Sequence, residues 1–168
     1  RRVGLVDELG ALTYADLHAR SNAVAHALAD RGVTSGSQVA ILCRNHRGFV
    51  DATVAAAKLG ADILYLNTAF AGPQLAEVLA RERPRVLVHD EEFAAIAEGA
   101  RVDHRVVAWR ETGDPDGLAA VAAHQPTTDL TPPEAASRLV ILTSGTTGQP
   151  RGAARSAIGV EAAVALLD

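Results

Sequence analysis

Short apolar runs of strand length alternate with longer stretches whose apolar positions recur every three or four residues, and this alternation continues through most of the chain. Val3 to Val6 and Ala11 to Tyr14 flank Glu8, Leu9 and Gly10, which predicts a small hairpin ahead of the main body. Thr13 followed three residues later by Asp16 has the form of a capping box. Leu17, Ser21, Val24, Ala25 and Leu28 then hold helical spacing until Gly32. Gln38 to Leu42 reads as a strand, Phe49, Ala52, Ala56 and Leu59 as a helix stopped at Gly60, and Asp62 to Leu66 as the next strand. Pro73 marks a first helical turn carrying Leu75, Val78 and Leu79, and Pro84 stops it. Val86 to Val88, a short helix over Phe93 to Ala97, a strand at Arg105 to Ala108 and a helix at Gly117 to Ala123 extend the series. Strands alternating with helices predict an α/β fold with a largely parallel sheet and flanking helices.

Pro- and Thr-rich residues from Gln125 to Ser137 interrupt the pattern and read as a surface crossing within one domain. Leu139 to Leu142 then form an uninterrupted apolar run, the mark of a strand buried on both faces. It leads directly into Thr143-Ser144-Gly145-Thr146-Thr147-Gly148-Gln149-Pro150-Arg151-Gly152. Beyond that loop Val160, Val164 and Leu167 share a helical stripe with no stop signal after Asp168, so a truncated chain is expected.

Composition narrows the chemistry. The 168 residues are 48% hydrophobic and 21% charged, which fits a globular domain and neither a disordered polymer nor a membrane bundle. A net charge of −4 without a basic run argues against a nucleic-acid partner. The apolar stretch Val54 to Leu66 carries Lys58 and Asp62 and is too short to span a bilayer, so no transmembrane segment is expected. Cys43 is the single cysteine, so there is no disulfide framework; a reducing, cytoplasmic location suits it. Beside Ile41 and Leu42, Cys43 reads as a buried strand residue rather than a nucleophile. His18, His26, His46, His89, His104 and His124 lack the paired spacing of a zinc site. Glu91 and Glu92 read as charges complementing a helix dipole, and Trp109, Phe49, Phe70, Phe93, Tyr14 and Tyr65 as packing residues.

Three glycines, four hydroxyls and one cation within ten residues after a core strand suit polyphosphate binding. Gly145, Gly148 and Gly152 let backbone N–H groups close on an anion, Thr143, Ser144, Thr146 and Thr147 add hydroxyl donors, and Arg151 adds fixed positive charge. Gly152 is followed by Ala153 and Ala154, so the Lys-Ser/Thr pair of a Walker loop is missing. The glycine spacing also misses the Gly-x-Gly-x-x-Gly dinucleotide fingerprint, which disfavours a nicotinamide enzyme.

The segment resembles the phosphate loop of the AMP-forming acyl-CoA synthetases of the adenylate-forming superfamily, Thr-Ser-Gly-Thr-Thr-Gly-x-Pro-Lys-Gly. Eight of its nine fixed positions match, and Arg151 replaces the usual Lys. Leu12-Thr13-Tyr14-Ala15-Asp16-Leu17, Ala19-Arg20-Ser21-Asn22, Lys58-Leu59-Gly60-Ala61 and Leu66-Asn67-Thr68 are similar to that family's amino-terminal region in order and spacing. The resemblance implies that residues 1–168 are the amino-terminal portion of an AMP-binding (adenylation) domain, truncated after the phosphate loop.

It further implies that Thr143, Ser144, Gly145, Thr146, Thr147, Gly148 and Arg151 embrace the β and γ phosphates of ATP, with Thr143 near Mg²⁺. The implied reaction joins a carboxylic acid, a fatty acid in the first reading, to AMP and then to coenzyme A. No catalytic residue falls within these 168 residues, so the chain alone is expected to be inactive. A peptide-synthetase-type adenylation module and a non-catalytic nucleotide-binding fragment are the alternatives.

Overall fold

The Thr13 hydroxyl accepts the Asp16 backbone N–H at 3.2 Å, and the Asp16 carboxylate accepts the Thr13 N–H at 2.8 Å. That reciprocal cap starts helix α1, Tyr14–Ala29, where the sequence predicts it. In the computed structural model, residues 2–144 and 150–155 are described. Ahead of α1, β1 (Val3–Asp7) and β2 (Gly10–Thr13) form the expected antiparallel hairpin.

The main body follows as β3 (Gln38–Leu42), α2 (Arg47–Lys58), β4 (Asp62–Tyr65), α3 (Gly72–Glu82) and β5 (Val86–His89). A single 3₁₀ turn, Glu91–Phe93, then runs into the short α4 (Ala94–Ala97). β6 (His104–Val107), α5 (Gly117–Ala122), β7 (Leu139–Ser144) and β8 (Pro150–Arg155) complete the described elements. The sheet order is β6-β5-β3-β4-β7-β8, with the first five strands parallel and β8 antiparallel to β7.

Alternation along the strands divides the core into two layers. Val39, Ile41, Ile63, Val86 and Val88 face α1, α2 and α5, while Ala40, Leu42, Leu64 and Leu87 face α3 and α4. Two-sided burial explains why these strands read as continuous apolar runs. Each large side chain sealed there, Leu64 and Leu87 among them, contributes about 1.5–3 kcal/mol.

Two local expectations about strands differ from the structure. β7 is not buried on both faces: Val140 is buried, but Ile141, on the opposite face, stands 42% exposed. Pro150 to Gly152, expected as the end of a loop, open a strand that runs to Arg155, because the backbone there completes a ladder with β7. Glu91 and Glu92 stand in the first turn of the 3₁₀ segment, as expected, and have tertiary partners besides, with Glu92 paired to Arg44 at 2.8 Å and Glu91 accepting the Glu111 N–H at 2.8 Å. Among the aromatics, Phe93 is in the core and Phe49 stacks on Tyr65, but Tyr14 is exposed and lies under the Arg2 guanidinium. The helical stripe at Val160, Val164 and Leu167 lies outside the described residues.

Candidate functional site

Leu42, Tyr65, His89, Val107 and Ser144 end the five parallel strands on one edge of the sheet. Open α/β sheets bind ligands on that edge, where neighbouring strands send the chain in opposite directions. Two pairs do so here. β3 continues into α2 on one face while β5 continues into α4 on the other, and β4 turns back towards β5 while β7 turns outward to β8.

The second crevice adjoins the hydroxyl- and glycine-rich loop. Tyr65 is opposite Ile141, so β7 continues past the end of β4 and carries Thr143 and Ser144 roughly 7–10 Å beyond it. Thr143 is then opposite Arg151, and Ser144 opposite Pro150, so both ends of the loop are held side by side on this edge. Gly145, Thr146, Thr147 and Gly148 lie outside the described residues. The antiparallel pairing that brings Arg151 level with Thr143 has no signal in the sequence beyond the short apolar pair Ala153-Ala154.

The first crevice opens into a cavity of about 300 Å³ lined by Arg44, His46, Asp90 and Trp109 together with carboxylates of the β1–β2 hairpin and residues 91–111. Cys43, His46 and Asp90 place their ligand-type atoms within 4.8 Å of one another, a grouping that only the topology assembles. Hydrogen bonding settles what the group does. Gly48 N–H donates to His46 Nδ1 at 3.1 Å, capping α2, which leaves Nε2 as the protonated nitrogen that donates to Asp90 Oδ1 at 3.0 Å. A metal ion on Nε2 would displace that proton and force a second donor against Gly48. The other Asp90 oxygen accepts the Arg44 N–H at 2.6 Å, and Trp109 lies against the His46 ring at 4.7 Å. The trio is therefore a hydrogen-bonded support for the β3–α2 turn. Burial, reinforced by the Asp90 charge, pushes the Cys43 thiol well above its ordinary range, consistent with its reading as a packing residue.

Two arginines, each paired with buried carboxylates, fix the neighbouring elements, and periodicity gives no hint of either. Arg47, the first residue of α2, binds Asp7 at the end of β1 through its guanidinium at 2.5 Å and its backbone N–H at 2.9 Å, which pins the hairpin to the sheet edge. Arg20 of α1 reaches Asp51 of α2 at 2.5 Å and Asp116 at 2.9 Å. Burial raises the Asp51 carboxyl against the lowering effect of Arg20, and its Oδ1 has no partner.

Comparison with known proteins extends this geometry. The sequence pattern of the family described as AMP-binding enzyme matches residues 1–167. The fatty acid–[acyl-carrier-protein] ligase ScoC of Streptomyces coeruleorubidus is 32% identical over 147 residues, covering 84% of this chain and 27% of that protein. A medium/long-chain-fatty-acid–CoA/3-oxocholest-4-en-26-oate–CoA ligase of Mycobacterium tuberculosis is 28% identical over 158 residues, covering 84% and 28%. Among solved structures, the anthranilate CoA ligase AuaEII in complex with anthranoyl-AMP superposes with a TM-score of 0.82 at 26% identity, covering 93% of this chain and 31% of that one. The chain thus spans between a quarter and a third of the length of these relatives. Among the described residues, no helix is long and apolar enough to cross a membrane.

Proposed function

The chain belongs to the AMP-binding enzyme family, and we propose that it forms the phosphate-handling, amino-terminal portion of an acid–thiol ligase that activates a carboxylic acid with ATP. In the first step a carboxylate oxygen attacks the α-phosphorus of ATP, forming the acyl–O–P bond as the bond to the β-phosphate breaks and pyrophosphate leaves. In the second, a thiolate attacks the acyl carbonyl and AMP departs. The observation that carries the reading is the β7–β8 pairing, which holds Thr143 and Arg151 opposite each other at the ligand-bearing edge, on either side of the Thr-Ser-Gly-Thr-Thr-Gly run.

Within this scheme the backbone donors of Gly145 and Gly148, the hydroxyls of Ser144, Thr146 and Thr147 and the charge of Arg151 bind the β and γ phosphates and stabilise the departing pyrophosphate. Thr143 offers a hard oxygen donor of the kind Mg²⁺ accepts, at the strand end nearest those phosphates. Mg²⁺, when bound there, supplies charge neutralisation. The fatty-acid and CoA specificities of the M. tuberculosis relative favour a fatty acid and coenzyme A as substrates. ScoC, whose acceptor is an acyl-carrier protein, favours a carrier-bound thiol as the second reading. Turnover is assigned to the whole protein, and the 168 residues alone are expected to form no acyl-CoA.

ATP-dependent pyrophosphate exchange by the full-length protein, run across fatty, aryl and amino acids with coenzyme A product detection, tests this reading. Exchange with fatty or aryl acids and thioester formation is the expected result. Exchange with amino acids alone would transfer the chain to the peptide-synthetase branch, and no exchange with any acid would overturn the assignment.

A further inference from the structure

From the end of α5 to the start of β7, residues 123–138 cross the α1–α2 layer with no helix or strand of their own, and side chains from that layer fasten them. Asn22, fully buried on α1, donates from Nδ2 to the Thr127 carbonyl and to Asp129 Oδ1, both at 2.9 Å. Its Oδ1 accepts from the Lys58 ammonium at 2.5 Å, and Lys58 also donates to Ser21 Oγ at 2.7 Å and the His18 carbonyl at 3.1 Å. His18 Nε2 meets Asp129 Oδ1 at 2.6 Å. Farther along, the crossing lies on Gly60 so closely that a Cβ there would come within 2.7 Å of Pro133 Cβ. Arg138, its last residue, is held by Asp62.

These fasteners coincide with two segments that carry the family resemblance, Ala19-Arg20-Ser21-Asn22 and Lys58-Leu59-Gly60-Ala61. The segments are far apart in sequence, yet Asn22 and Lys58 touch, and the object they hold is the strap that delivers β7. β7 pairs with β4 on one side and β8 on the other, so its position along the sheet depends on how the strap enters. One residue of slip would displace the strand end by roughly 3.3 Å and invert its faces. Misplacement by about 1 Å is enough to cost a hundredfold in a positioned reaction.

We propose that Asn22 and Lys58 are positioning residues for the phosphate loop, acting through the strap at Thr127 and Asp129 to set where β7 ends and where ATP phosphates are met. The proposal rests on the functional reading above. A purely stabilising role would lower the folded fraction, and so kcat, while leaving the KM for ATP unchanged; a positioning role raises that KM and weakens ATP binding in protein that is still folded.

The test uses the full-length protein with Lys58→Met, which keeps the apolar stem but removes the donors, alongside Lys58→Arg and Asn22→Ala. ATP affinity is measured by calorimetry, KM for ATP and for the acid by pyrophosphate exchange, and folding by thermal melts, all well below the lowest melting temperature. Lys58→Met is expected to weaken ATP binding and raise the KM for ATP roughly five- to twentyfold with the acid's KM unchanged, and Lys58→Arg to recover most of the loss. If Asn22→Ala does not fold, the lysine pair decides alone. Folded Lys58→Met protein with ATP affinity and KM within twofold of wild type would overturn the proposal. Wild-type protein that binds no ATP would instead overturn the functional reading on which it stands.

Discussion

Asp62, the first residue of β4, grips Arg138, the residue before β7, at both its backbone and its side chain: Oδ1 accepts the Arg138 N–H at 2.9 Å and Oδ2 the guanidinium at 2.5 Å. The Ile63 N–H in turn donates to the Arg138 carbonyl at 2.9 Å, and the next pair, Ile63 opposite Leu139, starts the ladder. This carboxylate thereby ties the end of the strap to β4, next to the start of the strand that ends in Thr143 and Ser144. Asp62→Ala removes both acceptors and is expected to cost about 2–3 kcal/mol, lowering the melting temperature by roughly 4–10 °C. Asp62→Asn keeps an acceptor for the backbone N–H and should cost about 1 kcal/mol. Equal losses for the two substitutions in thermal melts would show that the backbone contact does not matter.

Acid should loosen the β1–β2 hairpin. The Arg47 guanidinium, hydrogen-bonded to Asp7 and outweighing the burial that opposes it, holds the Asp7 carboxyl down from 3.8 to about 2. A folded value below the unfolded one means that ionised Asp7 favours the fold at neutral pH, and that this contribution fades as pH falls from about 4 through 2. Asp7→Asn is expected to lose about 1–2 kcal/mol at pH 7 and to converge with the parent near pH 2. Urea unfolding of both proteins across that range checks it, and a gap that stays constant with pH would refute the assignment.

Gly60 is required twice, for its backbone and for its missing side chain. Its φ of +68° is a conformation other residues adopt at a cost, and a Cβ would press on Pro133 and on the Ala135 carbonyl. Gly60→Ala should therefore destabilise by about 2 kcal/mol or more, whereas Gly36→Ala, also at positive φ but facing open space, should cost only about 1. Denaturant midpoints for the pair separate crowding from backbone strain, and equal losses would show that the strap exerts no pressure on Gly60.

Cys43 offers a probe of the same sheet edge. Burial raises its thiol first, and the neighbouring Asp90 carboxylate raises it further. Native protein is expected to react with a chromogenic disulfide reagent at least roughly a hundredfold more slowly than the chain in denaturant. Rapid labelling of folded protein would mean that the Cys43–His46–Asp90 support opens in solution.

Elements with strong local patterns were readable in advance, because one residue type at one spacing decides them. The Thr13–Asp16 cap, the Gln38–Leu42 strand and the Pro73 helix start are of this kind. Contacts made across the sheet were not. Nothing near Asp62 in the sequence points to Arg138, and the Asp7–Arg47 pair joins residues whose separate surroundings read as a hairpin and a helix start. The hydroxyl and glycine run stands out in the sequence as a candidate phosphate loop, but the strand that follows it does not, since Pro150 and Gly152 both argue against a strand until β7 supplies its ladder. Exposure of Ile141 was equally hidden, because a strand's neighbours, and not its own apolar run, decide what covers it.

Arg151 is the one departure from the loop pattern that this segment resembles. It is level with Thr143 across the β7–β8 ladder, one residue into β8, and it stands where that pattern has a lysine. A guanidinium is planar and donates through a fixed fork, whereas an ammonium is a compact charge on a flexible stem, so the two approach a phosphate at different distances and angles. If Arg151 meets the β or γ phosphate, Arg151→Lys keeps the charge and changes the geometry, and the affinity of the full-length protein for ATP should shift by roughly threefold or more, corresponding to about 0.7 kcal/mol. Arg151→Ala, which removes the charge altogether, should weaken ATP binding by at least tenfold while leaving the melting temperature of the unliganded protein nearly unchanged. Calorimetric titration of ATP into the three proteins distinguishes the cases. Indistinguishable affinities for Arg and Lys would show that position 151 acts through charge alone, and retention of full affinity by the alanine variant would remove it from the phosphate site.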